Sequence, residues 1–258
     1  DGVIENFTAA MLEDYLDLHG ETSGNRGVSL IEPKALDRYV TRLDGARFQV
    51  HFHAIGDRAV RECLDAIEAA RRANDARDAR HHICHLQVVH PDDVPRFGSL
   101  DVVANCQPLW ACAEPQMTEL TIPFLGPERS GHQYPFESLR RAGGRLAFGS
   151  DWTVSTADPL QQIEVAVTRS PVGDRSARPF LPDERLDLAA ALEAFTMGSA
   201  FVNGLDSSTG SIEPGKDADL AILDRDITAS DAGPMGDARV DATLVGGEPV
   251  WMDPEMDW

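Results

Sequence analysis

Two histidines and an aspartate stand where metal chemistry would need them: His53, His85 and Asp151. His53 closes the strand-like run Phe48 to His53, and Ala54-Ile55-Gly56-Asp57 turns away from it. His85 lies near the end of His82 to Leu86, and Asp151 directly follows Leu146 to Ser150. In α/β barrels, side chains at the carboxyl ends of strands converge on one mouth. Two imidazoles and a carboxylate converging there suit a divalent metal such as zinc. Such a metal activates water to hydroxide near neutral pH. A nearby carboxylate can take the proton and hand it to a leaving group. Position alone leaves each residue open between a ligand and a hydrogen-bonded loop residue. Their occurrence after three separate strands favours the ligand reading.

His51 is a rival, because residues two apart on a strand share a face. It lies a pleat deeper than the strand end, so it is expected to pack within the barrel. His81, His82 and His90 flank the second strand and are expected in solvated loops or behind the ligands. Asp57 is a candidate cap for the helix that follows.

The elements that must position these residues alternate. Helical spacing covers 34–44, a strand 48–53, and a helix 58–73 with Val60, Leu64 and Ile67 on one face. A strand at 82–88, a short helix at 91–97 and a strand at 102–107 follow. A long loop with short helical pieces leads to a helix at 134–142 and a strand at 145–150. Helices are expected at 158–170 and 185–200. Alternation of this kind means parallel βα units. No GxGxxG follows a strand, so a dinucleotide fold has no support. After residue 203 the composition shifts to short strands and turns, including the Gly246-Gly247 turn.

The chain has 258 residues and 42% hydrophobic content, enough for a sizeable core. Its net charge of −20 argues against nucleic acid or an anionic membrane as partner. No apolar run approaches the ~18 residues of a membrane helix. Cytoplasmic placement is expected, an upstream signal aside. Of 23 basic residues only Lys34 and Lys216 are lysine. Cys63, Cys84, Cys106 and Cys112 show no disulfide or zinc-thiolate spacing, and three of them read as small buried hydrophobes.

Six motifs in order carry a resemblance: HFHAIGDRAV (51–60), HHICHLQVV (81–89), ANCQPLW (104–110), FGSDWTVSTADPL (148–160), FTMGSAFVNG (195–204) and GSIEPGKDADLAILD (210–224). With DATLVGGEPVW (241–251) they resemble the YtcJ-like branch of the metal-dependent amidohydrolases, which includes N-substituted formamide deformylases. The resemblance implies a (β/α)8 barrel with an attached β-sandwich. Residues 1–203 would form about the C-terminal half of the barrel, strands five to eight, and 204–258 the last part of a composite sandwich. It implies His53, His85 and Asp151 as metal ligands on strands five, six and eight, with Asp151 also moving the proton. It implies Gln107, Trp110 and Trp152 near the substrate.

The same resemblance implies a His-x-His on strand one and often a bridging lysine or acid on strand four. Neither is in this sequence, and neither lysine falls at a strand end. The expected protein is therefore a hydrolase of non-peptide amide-type C–N bonds using one or two divalent ions, zinc first, with iron or manganese as alternatives. This part alone would be inactive. The missing barrel half would come from upstream sequence, another chain or a second copy in a homodimer. A non-hydrolytic metal-dependent barrel enzyme and a metal-free interaction module stay open. The Gly20 to Gly27 loop reads equally as a lid or a plain connection.

Overall fold

The computed structural model describes residues 1–75, 77–174, 176–229, 231 and 233–254. Helix α1 (Pro33–Gly45) leads to strand β1 (His51–Ala54), and α2 (Asp57–Ala73) crosses to β2 (His82–His85). Then α3 (Val94–Ser99) leads to β3 (Val103–Cys106). Helices α4 (Pro115–Leu120), α5 (Ile122–Ser130) and α6 (Phe136–Arg141) precede β4 (Arg145–Phe148). The four strands pair in parallel in chain order. Parallel neighbours require crossovers, and the helices supply them. The result is the expected α/β architecture, an open arc of about half an eight-stranded barrel.

Helix α2 shows why the arc holds. Val60, Leu64 and Ile67 recur at helical spacing and are fully buried beneath β1 and β2. Each such side chain stabilises by about 1.5–3 kcal/mol on burial. Asp57 is the first residue of this helix rather than its cap residue. Gly56 holds the cap position, and the carbonyl of Ala10 accepts from Arg58 N at 3.1 Å and Ala59 N at 3.3 Å. The Asp57 carboxylate accepts from the amide of Arg58 in the first turn at 2.9 Å and from the amide of Leu12 at 2.8 Å. The loop at 9–12 is thus tied to the start of α2 from both sides.

The strands are shorter than their sequence patterns. Phe48 spends its N–H on Leu43 O at 2.9 Å, closing α1, and is 60% exposed, so pairing starts at His51. β2 stops at His85 because His85 and Leu86 turn to φ 74° and 53°. The helix expected over 185–200 is divided into α8 (Leu188–Glu193), a π-turn at Ala194–Gly198 and α9 (Ser199–Val202). Before it, α7 (Pro159–Thr168) starts at Asp158, whose carboxylate takes Leu160 N at 2.9 Å.

Beyond residue 203, β5 (Leu220–Leu223), β6 (Val240–Val245) and β7 (Glu248–Met252) form an antiparallel sheet. Gly246 and Gly247, at φ 58° and 84°, make the hairpin turn between β6 and β7. All four cysteines are buried and free. Among the described residues, no helix is long and apolar enough to cross a membrane.

Candidate metal centre

Strand alternation sets one half of the centre. His51 and His53 project to the open inner face of β1, while Phe52 and Ala54 are buried toward α2. His53 is registered with Cys84, and Ala54 with His85. Alternation alone would therefore send His85 to the helix side with Ile83. The left-handed φ at His85 breaks that alternation and brings its ring within 4.4 Å of the His53 ring, centroid to centroid. Non-glycine residues rarely hold such angles, and where they persist they gather at functional sites. Asp151, at φ 53°, is held the same way.

His85 is 7% exposed, and its Nδ1 is buried without a hydrogen-bond partner. Burial pushes its pKa down to about 4; His53 adds to the push and Asp151 opposes it. Burial also lowers His53. Both rings are thus neutral at physiological pH, with lone pairs free for a cation. Two neutral imidazoles side by side, one with an orphaned buried nitrogen, fit a divalent ion as two of its ligands. Asp151 lies on the same rim and in electrostatic reach of both rings. It does not close the set: among the described residues, no three His, Cys, Asp or Glu side chains are close enough to hold a metal ion.

The other expected site residues separate. Trp110 stacks on His85 at 5.7 Å and 21°. It also lines a cavity of about 340 Å³. Gln107 is buried, and its Oε1 accepts from His85 N at 3.1 Å while its Nε2 donates to Asn105 at 3.2 Å. It ties the ends of β2 and β3 together. Trp152 is 70% exposed and does not line that cavity.

Two of the other histidines, His51 and His81, differ from expectation. His51 is exposed rather than packed, and its Nδ1 lies 2.9 Å from Nε2 of His82. His81 lies in the loop just before β2, but at 1% exposure it is buried rather than solvated. Its Nδ1 accepts from Val50 N at 3.0 Å and its Nε2 meets Asp44 at 3.1 Å. His90 takes Asp92 N at 3.2 Å and starts a 3₁₀ turn. The Gly20 to Gly27 loop is tied back by Ser23 N to Tyr15 O at 2.8 Å and by Arg58 Nη2 to Arg26 O at 2.9 Å.

One residue of the centre was not visible in sequence. Asp1 lies beside His53 although 52 positions separate them. An Asp-Gly pair reads only as a turn, and no local pattern points it at His53.

Residues 1–251 match the amidohydrolase family. The chain belongs to that family. Protein LONG AFTER FAR-RED 3 of Arabidopsis thaliana is 35% identical over 260 residues, covering 97% of this chain and 42% of that protein. Putative amidohydrolase YtcJ of Bacillus subtilis (strain 168) is 28% identical, with 97% and 46% covered. N-substituted formamide deformylase of Arthrobacter pascens is 27% identical, with 89% and 41% covered. Among solved structures, an uncharacterized metal-dependent hydrolase from Pyrococcus horikoshii superposes with a TM-score of 0.73 at 30% identity, over 88% of this chain and 43% of that one. This amidohydrolase chain therefore spans less than half the length of the curated relatives it matches.

Proposed function

We propose that the whole protein is a metal-dependent hydrolase of non-peptide amide-type carbon–nitrogen bonds. The observation that carries this is the His53–His85 pair, set at the carboxyl ends of parallel strands with an orphaned ring nitrogen. One relative is named for deformylating N-substituted formamides, and a solved relative is named a metal-dependent hydrolase. Both support the reading.

His53 and His85 would hold the ion, with Asp151 as the carboxylate of the rim. A bound divalent ion (zinc first, iron or manganese as alternatives, one or two) supplies Lewis acidity that activates water and polarises a carbonyl. The chain supplies the rest. Asp151 takes the proton of the attacking water on its carboxylate and returns it to the departing nitrogen. Trp110 walls the approach to His85. Ligands beyond these three, and the other half of the arc, are proposed to come from upstream sequence or a second copy. The 258-residue chain by itself is proposed to be inactive.

The test is amide hydrolysis by the full-length protein, measured on N-formyl amines, carbamates and cyclic imides. Asp151→Asn is expected to lower kcat by about 10²–10⁴-fold. Equal turnover by that variant would remove Asp151 from the mechanism. Absence of hydrolysis on every amide class, in metal-replete protein, would sink the reading.

A further inference from the structure

The cavity beside Trp110 lies outside the ligand pair yet touches it. Trp110 stacks on His85 and also lines the cavity, so whatever occupies the cavity abuts the reacting centre. Its volume of about 340 Å³ falls in the range of small-molecule sites.

Its lining has a consistent chemistry. Trp110 and Tyr134 give aromatic walls, and Glu5 and Glu114 give two carboxylates. Among the described lining residues there is no Lys, Arg or His. Glu5 Oε1 accepts from Gln116 Nε2 at 3.0 Å and Thr121 Oγ1 at 3.5 Å. No described residue donates to its Oε2. Behind the wall, Arg169 spends its guanidinium on the carbonyls of Gln133, Tyr134 and Phe180, and pairs with neither glutamate.

Tyr134 is a second, independent sign of a ligand. It is 2% exposed, and its backbone N–H and carbonyl are both satisfied, by Gln87 O and Arg169 Nη1. Its hydroxyl has no hydrogen-bond partner among the described residues. Tyr134 itself lines the cavity, beside Glu5 and Cys112. Buried hydroxyls are normally satisfied, and one left open toward a cavity awaits a partner.

We infer that this cavity binds an organic amine in its ammonium form, with the aromatic rings and the two carboxylates as its recognition elements. Ring faces attract cations, and two carboxylates without a counter-ion favour a cation between them and repel an anion. The Tyr134 oxygen would accept an ammonium N–H. Hydrolysis of an amide releases an amine, which is protonated at neutral pH. The cavity would therefore hold the nitrogen side of the substrate. That last step rests on the amide reading; the preference for an ammonium group does not.

The experiment uses metal-loaded full-length protein and calorimetric titration with benzylamine, benzyl alcohol and benzoate. Benzylamine is expected to bind at least about tenfold more tightly than benzyl alcohol, and benzoate more weakly than either. Glu5→Gln and Glu114→Gln are each expected to weaken benzylamine several-fold, with thermal unfolding near wild type as the fold control. No benzylamine binding at millimolar concentration, or no preference over the alcohol, overturns the inference. So does a preference that survives the double variant Glu5→Gln/Glu114→Gln. Selective amine binding without hydrolysis of any amide would sink the amide reading and leave the cavity assignment. Amide hydrolysis without charge preference would do the reverse.

Discussion

The carboxylate of Asp1 lies 3.5 Å from Nδ1 of His53, and its side chain is fully buried. Its oxygens also accept from the amides of Ala10 at 2.9 Å, Ile55 at 3.0 Å and Gly56 at 2.8 Å. One side chain thus fixes the turn after β1 and faces the ring that β1 presents. A carboxylate on the far nitrogen of a metal-binding histidine orients the ring and sets its tautomer. Asp1→Ala in the full-length protein is expected to weaken metal binding by about 10–100-fold. Asp1→Asn, which keeps one acceptor oxygen, should fall between. Competition against a chelator measures both; wild-type affinity in Asp1→Ala would mean that Asp1 only holds the turn.

His85 gives a complementary prediction. Its φ of 74° suits asparagine better than most residues. His85→Asn should therefore keep the fold while removing the buried, unpartnered ring nitrogen. Bound metal in the full-length protein is expected to fall well below wild type, with the melting temperature changed by only a few degrees. Undiminished metal content in a folded His85→Asn protein would exclude His85 as a ligand.

What was legible in sequence was local. The spacing of Val60, Leu64 and Ile67 marked α2, and runs ending near His53 and His85 marked two strand ends, while the strand expected over 145–150 stops at Phe148. What was not legible depends on distant partners. Asp57 reads as a cap, but it is the first helical residue, and its carboxylate also holds the amide of Leu12, 45 positions away. His81 reads as solvated or as lying behind the ligands until Asp44, 37 positions away, covers it. His85 reads as alternating with its strand, and no residue type announces the left-handed φ that re-aims it. The pair was foreseeable as two strand ends, but its close approach was not. Asp151 illustrates the same limit: it lies three residues beyond the end of β4, and among the described residues it forms no closed metal group with the pair.

The His81–Asp44 contact predicts an acid limb of stability. Val50 donates to Nδ1 of His81, so the ring proton sits on Nε2 and faces Asp44. Burial holds His81 below its usual 6.5, against the pull of Asp44; Arg77 and Arg71 also face it and lower it further. Asp44 is itself held low: against its burial, hydrogen bonds from Asn74 and His81 and the charge of Arg77 prevail. As pH falls below about 6.5, the unfolded histidine takes a proton that the folded one refuses, so stability falls. His51, His53, His82 and His85 are shifted the same way and add to the slope. Asp44 extends the loss to lower pH. Urea unfolding at pH 7.5, 6.5 and 5.5 should show a plateau and then a decline. His81→Gln should remove up to one proton's worth, about 1.4 kcal/mol per pH unit. A flat profile would contradict the burial of His81 and His85.

The turn that carries His53 makes a final prediction through Gly56. A Cβ there would lie 2.1 Å from the carbonyl oxygen of Ala10 and 2.6 Å from its carbon. That same carbonyl accepts the amides of Arg58 and Ala59, so it cannot move without uncapping α2. The clash is with backbone, which has no rotamer to yield. Gly56→Ala is therefore expected to cost about 1–3 kcal/mol or more, and several degrees of melting temperature in a protein this size. Gly149 is the control, since a Cβ there meets nothing within 4 Å. Gly149→Ala should melt close to wild type. Because Gly56 lies three residues after His53, its displacement should also weaken metal binding, in step with the loss of stability. Equal tolerance of alanine at both positions would show that the 9–12 loop does not seat on α2 as described.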